Sequence, residues 1–352
     1  MQNHDSACLS PPPRCFGEGP GVGLWYKWRD TKDGFMTTLI TGGAGFIGSH
    51  VAAALLQRGE TVLVIDNFND YYDPSIKRAN VRKLRGYANF QLVEGDIRDV
   101  ALVEGLFRAH SIQRVAHLAA MAGVRASVNQ ARLYMDVNLG GTLNLLEGAK
   151  LGGCGQFVLA STSSVYGKTR RLPFIESDRA DRPLAAYPAS KRAAEMLAHS
   201  YHNLVGMQVT ALRFFNVYGP AGRPDMMPWR LMEATQSGQR IRLFNGGDIQ
   251  RDWTYIADTV AGVVAALDKP LGSEVINLGC GAPISLSEFV CIIEELAGVK
   301  INAVPVPTPP SDPPITFCDN SKARRLLGFA PTVDSREGRR RTWDLYCAFR
   351  GL

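Results

Sequence analysis

Tyr187 and Lys191 stand four residues apart in "YPASK", a spacing that puts both on one face of a helix. A tyrosine hydroxyl, with an ordinary pKa near ~10, is a poor base at neutral pH, and a neighbouring ammonium favours its phenolate. The pair therefore offers a base for a hydroxyl proton, with a lysine that can also hydrogen-bond a ribose. Upstream, Thr162 closes the apolar run "QFVLAST" within "STSSVYG". Its hydroxyl can bond a substrate hydroxyl that is losing its proton. Tyr-x-x-x-Lys is a common accident by itself, so its meaning rests on what precedes it.

What precedes it is "TGGAGFIG". Gly42, Gly45 and Gly48 are three apart, and Gly43-x-Gly45-x-x-Gly48 fits the dinucleotide fingerprint. Side chains there would block the tight turn, the approach of backbone N–H groups to a pyrophosphate, or the packing of helix on strand. Asp66 ends the next strand, 18 residues past Gly48. A carboxylate at that place accepts ribose hydroxyls and repels a 2′-phosphate, which predicts NAD rather than NADP. Phe46 and Ile47 belong to the same loop. Asn67, Ala119 and the pair Asp96-Ile97 are further cofactor-binding candidates near strand ends, the last flanking an adenine.

These residues need a scaffold, and the chain supplies one by alternation. "TLIT", "TVLVID", "QLVEGD", "RVAHLAA", "QFVLAST" and "QVTALRFF" read as strands. "IGSHVAAALLQRG", "DVNLGGTLNLLEGAK" and "YPASKRAAEMLAHSYHNL" read as helices. Such alternation predicts βαβ units and a parallel sheet covered on both faces. The expected fold is α/β: a Rossmann-type doubly wound parallel sheet with a smaller C-terminal substrate-binding lobe. Past Gly219 proline and glycine become dense, and the pattern predicts short, broken helices. "VINLG" reads as a late strand returning to the sheet, and "SLSEFVCIIEELAG" and "NSKARRLLGF" as later helices. "VPVPTPPSDPP" reads as a surface crossing. The expected division is a dinucleotide-binding unit of 36–218 plus 258–280 and a second, substrate-binding lobe of 219–257 plus 281–345. Residues 1–35, with Pro11-Pro12-Pro13 and no sustained apolar period, read as an extension upstream of a natural start at Met36.

Composition narrows the classes. Of 352 residues, 45% are hydrophobic and 20% charged, as in ordinary globular proteins. No run approaches the ~18 consecutive apolar residues of a membrane span, and no signal peptide is expected. The seven cysteines are scattered and form no CxxC pair, which argues against a disulfide framework or a metal site and for a reducing cytoplasm. A net charge of +6 suits an anionic small substrate and is too diffuse for nucleic acid. The densest basic run, "REGRRR" from Arg336 to Arg341, reads as the solvated face of a terminal helix.

From residue 36 to about 345 the chain resembles the extended short-chain dehydrogenase/reductase family of nucleotide-sugar enzymes. "IDNFNDYYDPSIKRAN", "HLAAMAGVRASV", "STSSVYGK", "RFFNVYGPAGRPDM", "RDWTYIADTVAGV" and "SKARRLLGFAP" are similar to the UDP-glucuronate 4-epimerases within it. The resemblance implies that Thr162, Tyr187 and Lys191 are catalytic and that Asn138 lies near the cofactor. It places Phe214 and Phe215 near the nicotinamide and Asn216 at the nucleotide sugar. Arg251 is implied to bind the diphosphate and Arg223 to act in a loop closing over substrate, with Arg125 as a further substrate contact. Dehydratases of the superfamily carry an Asp-Glu pair after the catalytic threonine. Ser163 and Ser164 stand there instead, which argues against elimination. As donors, Thr162, Ser163 and Ser164 suit a substrate carboxylate.

The resemblance thus implies NAD-dependent 4-epimerisation of UDP-glucuronate to UDP-galacturonate through a 4-keto intermediate. It also implies a homodimer paired through the helices around 129–151 and 186–205. There are departures: Ala257 replaces an Asp common in the family, Asn216 stands where Thr is frequent, and the segment around Asp312 lacks its usual Gly and Gln. Two alternatives stay open. One is a UDP-glucose 4-epimerase or another nucleotide-sugar epimerase. The other is an NAD-binding protein that senses or scaffolds without turnover.

Overall fold

The structure is a computed structural model that describes residues 36–309 and 312–351. The extension expected over residues 1–35 lies outside them. The first part runs β1 (Thr37–Thr41), α1 (Phe46–Gln57), β2 (Thr61–Asp66), α2 (Pro74–Leu84), β3 (Phe90–Glu94), α3 (Val100–Ala109) and β4 (Arg114–His117). It continues with α4 (Ala131–Met135), one π turn (Asp136–Gly140), α5 (Gly141–Gly152), β5 (Gln156–Thr162), α6 (Ala186–Val205) and β6 (Gln208–Phe214). The second part holds β7 (Asn216–Tyr218), α7 (Met227–Ser237), β8 (Ile241–Phe244), β9 (Gln250–Tyr255), α8 (Ile256–Asp268), β10 (Ser273–Leu278) and β11 (Pro283–Ser285). It ends with α9 (Leu286–Ala297), β12 (Ala303–Val306), β13 (Ile315–Thr316), α10 (Ser321–Leu327) and α11 (Ser335–Arg350).

Seven parallel strands form the main sheet in the order β10-β6-β5-β4-β1-β2-β3. Successive side chains alternate between its faces, and the packing follows. Ile40, Ala116, Val158 and Leu212 meet Val51, Leu55 and Val263 of α1 and α8 on one face. Leu39, Val115, Phe157 and Leu159 meet Phe107, Leu145 and Ala194 of α3, α5 and α6 on the other. β5 is buried along its whole length, which suits the apolar run Phe157–Ala160 at its centre. The strand order reverses between β1 and β4, the switch point where the carboxyl ends of a doubly wound sheet open a crevice.

A second sheet is built around β9, which pairs with β7, β11 and β13. Only Phe215 separates β6 of the first sheet from β7 of the second, so the chain steps directly between them beside the crevice.

Several expectations need correction. Past Gly219 the helices are not short and broken: α7, α8, α9 and α11 have 11, 13, 12 and 16 residues. The Pro-rich run is not merely a crossing, since its first residues, Val304, Pro305 and Val306, fall in β12, paired in parallel with β8 in a two-stranded sheet where proline is tolerated. The basic run is not wholly solvated either. Arg336, Arg340 and Arg341 pair with Glu295, Glu337 and Asp344 at the surface. Arg339, by contrast, is fully buried, its guanidinium 4.3 Å from the centre of the Phe289 ring. The helix expected over 136–150 begins earlier, at Ala131, and is interrupted by the π turn.

Candidate active site

The glycine loop turns the chain from β1 into α1. Gly42 has φ +67°, and a Cβ there would lie 2.8 Å from the Ala119 backbone; one on Gly48 would lie 2.3 Å from the Gly42 carbonyl oxygen. Only glycine fits either place. The loop floors a single cavity that runs over the carboxyl ends of the main strands and reaches the second sheet. Gly42, Gly45, Phe46, Ile47 and Gly48 line it at one end. Asp66, Asn67, Asp96, Ile97 and Ala119 line its wall beside them. Thr162, Ser163, Ser164, Tyr187 and Lys191 line its centre, with Phe214, Phe215, Asn216 and Arg223 at the far side.

Asp66 is buried and firmly held. Its Oδ2 accepts from Ala44 N at 3.2 Å and its Oδ1 from Phe68 N at 2.9 Å. Asp96 accepts from Asn67 Nδ2 at 2.9 Å and is clasped by Arg98, whose guanidinium holds the carboxyl down at about 2.

Thr162 ends β5 and caps a single 3-10 turn (Ser163–Tyr166), its Oγ1 accepting from Ser164 N at 3.2 Å. This turn aims Ser163 and Ser164 at the cavity while Tyr166 points into the core and donates to Asn277 Oδ1 at 2.6 Å. The tyrosine of "STSSVYG" is therefore structural, and the hydroxyls before it face the site.

Tyr187 and Lys191 share the face of α6 turned to the cavity, as their spacing requires. Their electrostatics differ from the sequence expectation. Burial pushes the Tyr187 hydroxyl above its ordinary pKa, against the pull of hydrogen bonding from Thr162 and of the Arg223 charge. Burial also pushes the Lys191 ammonium down to about 8, opposed by Glu195. Lys191 Nζ has no hydrogen-bond partner among the described residues.

Three expected contacts stand elsewhere. Asn138 is fully buried behind the cavity rather than in it. Its Oδ1 accepts from Met121 N at 2.8 Å, and its Nδ2 donates to Met121 O and Ser190 Oγ at 2.9 and 3.0 Å. It thus positions a wall segment against α6. Arg251 and Arg125 do not line the cavity; they converge on Asp312, at 3.4 and 3.9 Å, and Arg125 lies over the Phe244 ring.

Sequence reasoning missed Lys77, Tyr71, Tyr72 and Met121, which also line the cavity. Lys77 is buried, with Nζ 3.4 Å from Asp66 Oδ1 and 2.9 Å from Asn69 Oδ1. Its only sequence signal is its place in "NDYYDPSIKRAN". Tyr71 donates to Asp225 Oδ2 at 3.5 Å, and Asp225 receives both Arg223 nitrogens, joining the rim after β2 to the loop before α7. Among the described residues no group of three or more His, Cys, Asp or Glu side chains is placed to hold a metal.

A doubly wound parallel sheet, a glycine turn at its switch point and a tyrosine–lysine pair over its carboxyl edge define a Rossmann-type α/β protein of dehydrogenase/reductase architecture. The family model for GDP-mannose 4,6 dehydratase matches residues 39–342. UDP-glucuronate 4-epimerase 4 of Arabidopsis thaliana is 42% identical over 339 residues, covering 91% of this chain and 77% of that one. UDP-glucuronate 4-epimerase of Thermodesulfobacterium geofontis is 43% identical over 305 residues, covering 86% and 94%. Among solved structures, UDP-glucuronic acid 4-epimerase from Bacillus cereus in complex with UDP-glucuronic acid and NAD superposes with a TM-score of 0.82. It is 34% identical, covering 89% of this chain and 100% of that one. The chain belongs to the extended short-chain dehydrogenase/reductase family.

Proposed function

We propose that this protein is an NAD-dependent UDP-glucuronate 4-epimerase, interconverting UDP-glucuronate and UDP-galacturonate. The observation that carries the reading is the turn after Thr162. It presents Ser163 and Ser164 to the cavity beside Tyr187, hydroxyls where a dehydratase needs carboxylates. The relatives of that name and the structure with UDP-glucuronic acid and NAD support it.

The residues fit NAD. The glycine turn leaves no room for side chains where a pyrophosphate would approach, Asp66 stands where ribose hydroxyls would be accepted, and Lys191 Nζ, which has no hydrogen-bond partner among the described residues, would hold the second ribose. Bound NAD would take hydride from C4 of the sugar and return it to the opposite face, with no net redox change. Tyr187 removes the proton of the C4 hydroxyl as hydride leaves and returns a proton later, while Lys191 stabilises the phenolate. Thr162 hydrogen-bonds the reacting oxygen. Ser163 and Ser164 donate to the sugar carboxylate and hold the 4-keto acid in a geometry that resists loss of CO2. Asn216 and Arg223 hold the sugar from the far wall, Arg251 binds the diphosphate and Arg125 is a further substrate contact.

The cofactor unit comprises 36–218 plus 258–280 and the sugar lobe 219–257 plus 281–345, with β7 at the end of the first segment reaching across to pair with β9 of the lobe. The protein works as a homodimer in the cytoplasm; the dimer is supported by Met135, Leu143, Leu151, Met196 and Leu204, which expose apolar surface on α4, α5 and α6. No described helix is long and apolar enough to cross a membrane. The test is substrate choice. Turnover of UDP-glucuronate should exceed that of UDP-glucose; preference for UDP-glucose would move the assignment to a UDP-hexose epimerase.

A further inference from the structure

Behind the site lies a buried carboxylate that the mechanism above does not use. Glu195 sits on α6 one turn beyond Lys191 and two beyond Tyr187, and its side chain is wholly inaccessible. Ser161 Oγ, on the residue before Thr162, donates to Glu195 Oε1 at 2.5 Å. Arg213, on the residue before Phe214, donates through Nε to Oε1 at 2.9 Å and through Nη2 to Oε2 at 2.8 Å. Arg192 donates to Oε2 from the outer side at 2.9 Å. Arg213 in turn lies 4.7 Å from the centre of the Tyr166 ring, at the end of the serine turn. One carboxylate therefore ties together the three elements that carry Thr162, Phe214 and the Tyr187–Lys191 pair.

We propose that Glu195 is a positioning residue for the reaction: its hydrogen bonds fix β5 and β6 against α6, and its negative charge faces Lys191. The inference rests on the assignment of Tyr187 and Lys191 to that reaction. The charge balance around Lys191 supports it. Tyr187 shares its face of α6, and His117 on β4 faces it, held neutral by burial between the hydroxyls of Thr41 and Thr142. Among the described residues Glu195 is the one anion whose charge acts on it, opposing the desolvation that pushes the ammonium down. Replacing that carboxylate with an amide would leave the buried Arg213 and half-buried Arg192 as uncompensated cations. Both would disfavour a charged Lys191.

The test is Glu195→Gln, with the Lys191 ammonium followed by NMR and turnover of UDP-glucuronate measured on the same preparation. The Lys191 midpoint should fall by about one unit. The kcat should drop about tenfold or more with KM nearly unchanged, the signature of an interaction made in the transition state. An unmoved midpoint together with wild-type kcat overturns the proposal. If Glu195→Gln does not fold, Ser161→Ala decides, because it cuts the β5 tie without stranding a charge. A severalfold loss of kcat at constant KM and Tm supports positioning, and wild-type kcat refutes it. Should the wild-type protein leave UDP-glucuronate unchanged, the epimerase reading fails by itself, and the Lys191 midpoint in Glu195→Gln still decides this one.

Discussion

Lys77 holds its ammonium 3.4 Å from Asp66 Oδ1, both groups buried in the wall of the cavity. The carboxylate expected to choose NAD by repelling a 2′-phosphate is thus already half of an ion pair. Lys77→Met leaves a buried carboxylate without its counter-charge, and losing a hydrogen bond to a charged group costs about 1.5–3 kcal/mol. The expected result is NAD binding weaker by about tenfold or more, read by calorimetric titration. Unchanged affinity would show that Asp66 is held by the Ala44 and Phe68 amides alone.

Ser163 and Ser164 face the cavity from a turn that Thr162 caps. If they hold the sugar carboxylate, Ser163→Ala and Ser164→Ala each remove a charge-assisted hydrogen bond, reducing kcat/KM for UDP-glucuronate by about 10- to 100-fold. A neutral hexose makes no such bond, so any residual activity on UDP-glucose should be unaffected. Parallel kinetics on both substrates check the contrast.

Lys191 carries a pH signature in the NAD-free protein. Its folded pKa of about 8 lies below its ordinary value of 10.5. Below pH 8 both folded and unfolded states are protonated and folding bears the full cost of burying the charge. Between 8 and 10.5 the unfolded state holds more protons, so stability rises with pH until the cost is gone. Lys191→Met should therefore be more stable than wild type below pH 8, by on the order of 3 kcal/mol at most. The gain should vanish by pH 10.5, as denaturant titrations at several pH values would show. The same variant should lose activity, with the acid limb of its pH–rate profile moved to higher pH because Tyr187 lacks its ammonium neighbour.

Arg339 is buried on the Phe289 ring, and burial pushes its guanidinium below the usual arginine range. None of its side-chain nitrogens has a hydrogen-bond partner among the described residues. A buried charge without hydrogen-bond partners carries a desolvation cost that an apolar group of similar volume avoids. Arg339→Met should raise Tm with turnover unchanged; a fall in Tm would reveal a polar role for the guanidinium.

What the sequence disclosed was chemistry set by local spacing. The glycine turn, Asp66 at the end of β2 and Tyr187 four before Lys191 are short-range patterns, and the alternation of strands and helices fixed the seven-stranded sheet. What it hid depends on which way a side chain turns after packing. Lys77 carries no spacing signal of its own and turns inward to Asp66; Arg339, within the run expected on a solvated face, is interior. Asn138 falls in the π turn, where the change of helical phase places it behind the cavity. Arg125 and Arg251 meet only because β9 and the segment at Asp312 come together from distant parts of the chain. Glu195 looks like any helical acid until Ser161 and Arg213 are found on it.

The most direct test is incubation of the purified protein with UDP-glucuronate and no added NAD, with the products resolved by NMR. UDP-galacturonate should accumulate toward a fixed ratio with UDP-glucuronate, without release of CO2 and without build-up of reduced cofactor. Formation of UDP-pentose alone, or of a 4-keto product that does not return to a uronic acid, would contradict the account.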